Sequence, residues 1–195
     1  MLASDRERSW EEQAVALKIS ILVGNPKPMS RTRGIAERFV EVLIGNDPHE
    51  CGTTDLAEQS NRVFPMPAEH LAALHQTLAG SNLLVVASPT YKATYTGLLK
   101  IVLDQLRPNA LQGVVAIPLM TGASAAHAMA VEFHLAPLLR ELGATVPFSG
   151  AYFIVNEDTE KSVRAAVAKL RSQLELVRSL EFTGGKNVGS VIDGE

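Results

Sequence analysis

The run Asn-Leu-Leu-Val-Val-Ala-Ser at 82–88 constrains the fold more than any other stretch of this chain. It is apolar throughout, so both of its faces need cover. That is the pattern of a parallel strand with helices above and below the sheet. Residues 15–24, rich in β-branched side chains, and 113–122 read the same way. Residues 50–58 form a weaker, edge-like strand, and 144–155 a fifth. Helical patterns separate them. Residues 32–44 carry Ile35, Phe39, Val42 and Leu43 at helical spacing, and 68–80 is stopped by Gly80. Residues 96–106 are closed by Pro108, and 124–143 end at Gly143. The last helix, 158–180, has Asp158 or Thr159 available as N-cap. Five β-α units predict an α/β fold, a doubly wound five-stranded parallel sheet with helices on both faces.

In such a sheet ligands bind beyond the carboxyl ends of the strands, where the strand order reverses. Three loops at that edge are unusual: residues 24–34, 88–97 and 121–127. The first opens a helix and supplies Ser30 and Thr32 hydroxyls, flanked by Arg31 and Arg33. A helix N-terminus with free N–H groups and a positive dipole end suits a phosphate monoester. The same residues also read as simple helix capping with solvated arginines. The loop lacks the Gly-Lys-Ser/Thr ending of a P-loop and the Gly-x-Gly-x-x-Gly dinucleotide fingerprint. In the other two loops, Tyr91 and Tyr95 offer flat surfaces, and the backbone at Pro89–Lys92 and Thr121–Ser124 offers hydrogen bonds to a heterocycle. Local packing is the plainer role for the tyrosines. Lys100 and Asp104 form an i,i+4 pair suited to a helix surface.

Composition removes several function classes. A net charge of −3 with scattered basic residues gives no footprint for nucleic acid or for a membrane surface. The single cysteine, Cys51, rules out an internal disulfide and points to packing, and a reducing, cytoplasmic setting is expected. The five histidines show no metal-ligand spacing such as His-Glu-x-x-His. No bound metal is expected. The organisation expected is a flexible arm at 1–14, a single domain at 15–182 and a flexible tail at 183–195.

The segments 24–32, 88–106 and 111–144, and the order between them, resemble the NAD(P)H-dependent FMN reductases of the flavodoxin-like superfamily. Within these, they are most similar to the reductases that supply reduced FMN to sulfonate-cleaving monooxygenases. The resemblance covers roughly residues 16–180 and is most specific at 89–100. It implies the strand order 2-1-3-4-5. It places the FMN phosphate on Ser30, Arg31 and Thr32. The ring would lie near Pro89, Thr90, Tyr91 and Lys92, with Thr121, Gly122 and Ser124 on its other side. NADPH or NADH would stack on the exposed ring face. A homodimer or tetramer is implied, as is a flavin-dependent monooxygenase as partner. In the sulfonate-linked members an inserted residue makes a π-helix, and Pro137 predicts one around Phe133–His134. His134 is the better match to the insertion, with Phe133 the alternative. Hydride transfer between two cofactors needs no catalytic acid or base from the protein, and none is expected. Two alternatives share the fold: a quinone or azo-compound reductase holding FMN tightly, and a non-catalytic electron carrier or flavin-binding protein.

Overall fold

The computed structural model describes residues 16–62 and 64–183. The arm expected at 1–14 and all but the first residue of the tail expected at 183–195 lie outside the described residues. Strands β1 (Leu17–Val23), β2 (His49–Asp55), β3 (Leu83–Pro89), β4 (Val115–Gly122) and β5 (Ala151–Ile154) form one parallel sheet in the order β2-β1-β3-β4-β5. This is the flavodoxin-like doubly wound arrangement, with the reversal between β1 and β3.

Alternation along the strands sends side chains to two cores. Ile19, Ile21 and Val23 pack under α1 (Arg31–Ile44) and α5 (Thr159–Thr183), where Phe39 meets Phe153 edge-on at 6.2 Å between ring centroids. Leu22, Leu84 and Val86 pack on the other side under α2 (Ala68–Ala79), α3 (Gly97–Leu103) and α4 (Ala136–Glu141). Leu84, Val85, Val86 and Ala87 are all 0% exposed, which accounts for the unbroken apolar run in β3. Burying each such Leu or Val stabilises the fold by roughly 1.5–3 kcal/mol relative to leaving it in water. Asp158 caps α5, its Oδ1 accepting from Lys161 N at 3.1 Å.

Three elements differ from the sequence reading. The strand expected over 144–155 is ladder-paired only at 151–154, with one isolated bridge from Thr145 to Val115. Ala144 and Val146 are buried in the core as loop residues, and Gly150 N–H donates to Glu132 Oε1 at 2.6 Å instead of continuing the sheet. The helix expected over 96–106 is regular only to Leu103, after which three-residue turns carry the chain to a buried Leu106. Within this chain, Ile101 on that helix is 39% exposed and Leu98 half-buried.

The helix expected over 124–143 is three pieces: a 3-10 turn at Ala125–His127, a π-helix at Val131–Leu135, and α4. Ala136 N–H reaches back five residues to Val131 O, and Pro137, next in line, has no N–H to give. Gly143 then closes α4 at φ 88, a left-handed value that glycine adopts without a Cβ penalty.

Candidate functional site

The loop between β1 and α1 is shaped by buried polar groups. Ser30 caps α1, its Oγ accepting from Arg33 N at 3.3 Å, and Gly34 N–H makes the first helical bond to Ser30 O. The amides at the very start of α1 therefore have no intrahelical acceptor. The Thr32 hydroxyl, on a residue 2% exposed, lies 2.8 Å from that of Thr121 and accepts from Asn25 Nδ2 at 3.1 Å. It braces the first loop against β4.

The two arginines separate in role. Arg33 is surrounded by acids, with Glu58 at 2.8 Å, Glu37 at 2.9 Å and Asp55 at 3.5 Å. Among the described residues Arg31 donates to neutral acceptors, Asn156 Oδ1 at 3.1 Å and Val155 O at 3.3 Å, and no acid there pairs with its charge beside the helix start.

The loop after β3 is a tight hairpin. Tyr91 and Thr94 exchange two backbone hydrogen bonds, 2.8 and 3.2 Å, around Lys92 (φ 52) and Ala93 (φ 67). Two consecutive left-handed residues make a type I′ turn, which usually recruits Asn-Gly. Holding non-glycine residues there costs about 1 kcal/mol or more each. The surroundings hold the loop in place: Thr90 N–H donates to Thr121 O at 2.6 Å, the buried Ser88 Oγ accepts from Thr96 N at 3.0 Å, and the Thr96 hydroxyl donates to Gly24 O. Tyr91 is 51% exposed at the rim. Tyr95 instead packs against the core, the plainer of its two readings. Among the described residues, the Thr90 hydroxyl is the buried side-chain polar group with no partner.

The third loop is set by β5. Tyr152 donates its hydroxyl to Ser124 O at 2.9 Å and passes directly over Gly122. A Cβ on Gly122 would lie 1.9 Å from that hydroxyl and 3.5 Å from Thr90 Oγ1. Ser124 itself caps the 3-10 turn, its Oγ 3.4 Å from Ala126 N. Thus Ser30, Arg31, Thr32, Pro89, Thr90, Tyr91, Lys92, Thr121, Gly122 and Ser124 all stand on loops, strand ends or the first turn of α1 at one edge of the sheet.

Sequence reasoning passed over Asn25, Asp55, Ser88, Thr96 and Tyr152 as structural members of this edge. A Thr directly before Gly97 at a helix start was a readable N-cap signal. Tyr152 sits in an apolar strand and gave none. A cavity of about 520 Å³ opens between the end of β2 and α2, reaching the Arg33 side of this edge through Glu58, with Thr54, His70 and Thr77 also in its wall. It holds no orphaned polar group, and the loop geometry is the better guide. Cys51 is exposed on β2; desolvation, then Glu37 and Glu41, push its thiol up, away from nucleophile chemistry. Among the described residues no group of three or more His, Cys, Asp or Glu is placed to hold a metal, and no helix is long and apolar enough to cross a membrane.

The family model for NADPH-dependent FMN reductases matches residues 17–160, from β1 into α5. This chain belongs to that family. It is 33% identical to the FMN reductase (NADPH) of Escherichia coli K12 over 138 residues, 70% of this chain and 72% of the other. It is 28% identical to the NADH-dependent FMN reductase SfnF of Pseudomonas fluorescens Pf0-1 over 174 residues, 86% and 92% of the two chains. Among solved structures, an apo NADH:FMN oxidoreductase, EmoB, superposes with a TM-score of 0.68 at 27% identity, covering 82% of this chain and 90% of that one. The enzyme is an NAD(P)H:FMN oxidoreductase, with FMN and a reduced nicotinamide nucleotide as its cofactors. The edge of the sheet fits FMN on its own evidence: among the described residues, an Arg31 with no acid partner at a helix start, and an orphaned Thr90 hydroxyl beside a Gly122 surface that a Cβ would spoil.

Proposed function

We propose that this FMN reductase delivers reduced FMN to a flavin-dependent monooxygenase of the sulfonate-cleaving type, rather than keeping the flavin as a fixed group. The π-helix at Val131–Leu135 carries the reading. A π-helix is what the resemblance to the sulfonate-linked reductases implies for this segment, and it contains both Phe133 and His134. When bound, FMN accepts hydride at N5 from C4 of the nicotinamide and passes the electrons on.

The protein's own residues bind and orient. The helix-start amides of Ser30, Arg31 and Thr32 would hold the phosphate, with the Arg31 guanidinium, which no acid among the described residues pairs with. Pro89, Thr90, Tyr91 and Lys92 would hold the ring together with Thr121, Gly122 and Ser124. Thr32 and Thr121 act as a pair here, their hydroxyls holding the two loops at one spacing. Exposed Ile101, Met129 and Phe133 are covered by a second copy in a homodimer or tetramer. Residues 15–182 act as one catalytic unit, in the cytoplasm.

The test is flavin retention. Protein purified without added flavin should be colourless and should reduce added FMN catalytically. Deleting His134 should regularise the helix, leave the protein yellow and slow reduction of free FMN. A wild-type enzyme that emerges yellow, keeps FMN through dialysis and cannot turn over added FMN overturns the reading in favour of a quinone or azo-compound reductase.

A further inference from the structure

The end of β2 contains a buried carboxylate that the chemistry does not use. Asp55 is 3% exposed. Its Oδ1 accepts from Ala57 N at 3.1 Å; its Oδ2 accepts from Met29 N at 3.3 Å and lies 3.5 Å from Arg33 Nη1. Two of these three partners belong to the loop and helix start that open at Ser30, although Asp55 comes 25 residues later than that serine in sequence. A buried carboxylate is retained only where its partners are in place, so the contact to Met29 N–H is part of what makes Asp55 tolerable there.

Met29 is the unusual residue of the loop. Its φ is 48, in the left-handed region, and its side chain is 74% exposed. The side chain therefore gains little from this placement, and a non-glycine residue resists that backbone conformation. Met29 immediately precedes the Ser30 cap, so its φ and ψ set where the amides of Ser30, Arg31 and Thr32 point. A charge-assisted hydrogen bond to its N–H is the interaction available to hold it.

We infer that Asp55 is the positioning residue of the phosphate loop: by fixing Met29 in its left-handed conformation it aims the helix-start amides at the FMN phosphate. It touches neither flavin nor nicotinamide. Its negative charge stays with Ala57 N–H, Met29 N–H and Arg33, which keeps it off the anion. The inference rests on the proposed placement of the phosphate at Ser30–Thr32.

Steady-state reduction of FMN and of riboflavin, at saturating nicotinamide nucleotide, separates the two. The wild type should show a KM for FMN at least about tenfold below that for riboflavin. Equal values would remove the phosphate site and this inference with it. Asp55→Asn should raise the FMN KM roughly tenfold, with kcat and the riboflavin KM within twofold of wild type. Glu58→Gln, which loses one of the two other acids on Arg33 but no contact to Met29, should change none of these. If the wild type discriminates and Asp55→Asn still does, or if both flavins weaken alike in Asp55→Asn, Asp55 is a structural acid and the inference falls while the phosphate site stands. Should Asp55→Asn not fold, Met29 supplies the test, because its exposed side chain spares the core. Met29→Val, β-branched and averse to left-handed φ, should raise the FMN KM severalfold and spare riboflavin. Met29→Gly should retain more of the FMN preference than Met29→Val. Indistinguishable Met29 variants refute the role of this backbone conformation.

Discussion

Replacing Gly122 with alanine tests how tightly the third loop is built. The added Cβ would stand 1.9 Å from Tyr152 Oη and 2.9 Å from its Cζ, both well inside contact distance. Tyr152 must move, and moving it breaks its 2.9 Å hydrogen bond to Ser124 O. The lost bond costs about 0.5–1.5 kcal/mol. The forced repacking costs about 1–3 kcal/mol. Together they give roughly 2–4 kcal/mol of destabilisation, or about 4–16 °C in Tm for a protein of this size. The Tyr152→Phe variant loses only the hydroxyl and should cost about 1 kcal/mol. In the double variant the 1.9 Å clash is gone and the 2.9 Å contact remains, so rescue should be partial. The measurement is a double-mutant cycle by urea unfolding. A coupling of at least about 1 kcal/mol is expected. Additivity within about 0.5 kcal/mol would refute the claim that Tyr152 and Gly122 are built around one another.

Two further outcomes follow from other parts of the molecule. Glu160 joins α5 to α1 through Arg38 (2.8 and 2.9 Å) and also meets Arg164 (2.6 Å); Arg38 first, then Arg164, lowers its pKa from the ordinary 4.5 to about 2. A depressed carboxylate adds stability that is present above pH 4.5 and lost as pH falls toward 2, so Glu160→Gln should flatten the acid limb of Tm against pH across that window; curves that stay parallel throughout would contradict it. Light scattering at micromolar concentration should find a homo-oligomer, and Phe133→Glu, placed on a side chain 67% exposed in the single chain, should shift it toward monomer; a wild-type monomer would remove the proposed interface.

The legible parts of this fold were those where one physical effect decides the outcome. β1, β3 and β4 are buried on both faces, so their apolar runs announced parallel strands, while the order β2-β1-β3-β4-β5 came only from the family resemblance. The π-helix was legible because Pro137 removes one donor from a helical run, a local and certain loss. Residues 144–150 were misread as strand because burial alone does not say which backbone partner is chosen: Val146 is buried, but Gly150 N–H goes to Glu132. The loops that carry the candidate site were legible by composition and not by geometry. The sequence offers Glu37, four residues on, as a helix partner for Arg33, but not Asp55 and Glu58, nor the neutral acceptors that Arg31 meets among the described residues. That difference arises from β2 and β5 arriving on opposite sides of α1.

The arrangement of the edge also suggests how one fold is fitted to a flavin that leaves. No acid or base is needed for hydride transfer, so the protein's task is to hold two cofactors in register. Here the loops are tied to each other through buried polar links: Thr32 to Thr121, Thr96 to Gly24, Thr90 to Thr121. Those links fix the spacing of the loops through buried groups. The π-helix is built the other way. Its Phe133 and His134 are exposed, its hydrogen-bond ladder is irregular, and its Glu132 reaches across to the start of β5, the strand whose Tyr152 sets the Gly122 surface and whose end holds Arg31 through Val155 O. Tight loops beside a weakened helix place the cost of opening in the helix and its neighbours. In the proposed enzyme, a partner that covers the π-helix would act on flavin release through β5, without loosening the phosphate loop's own braces.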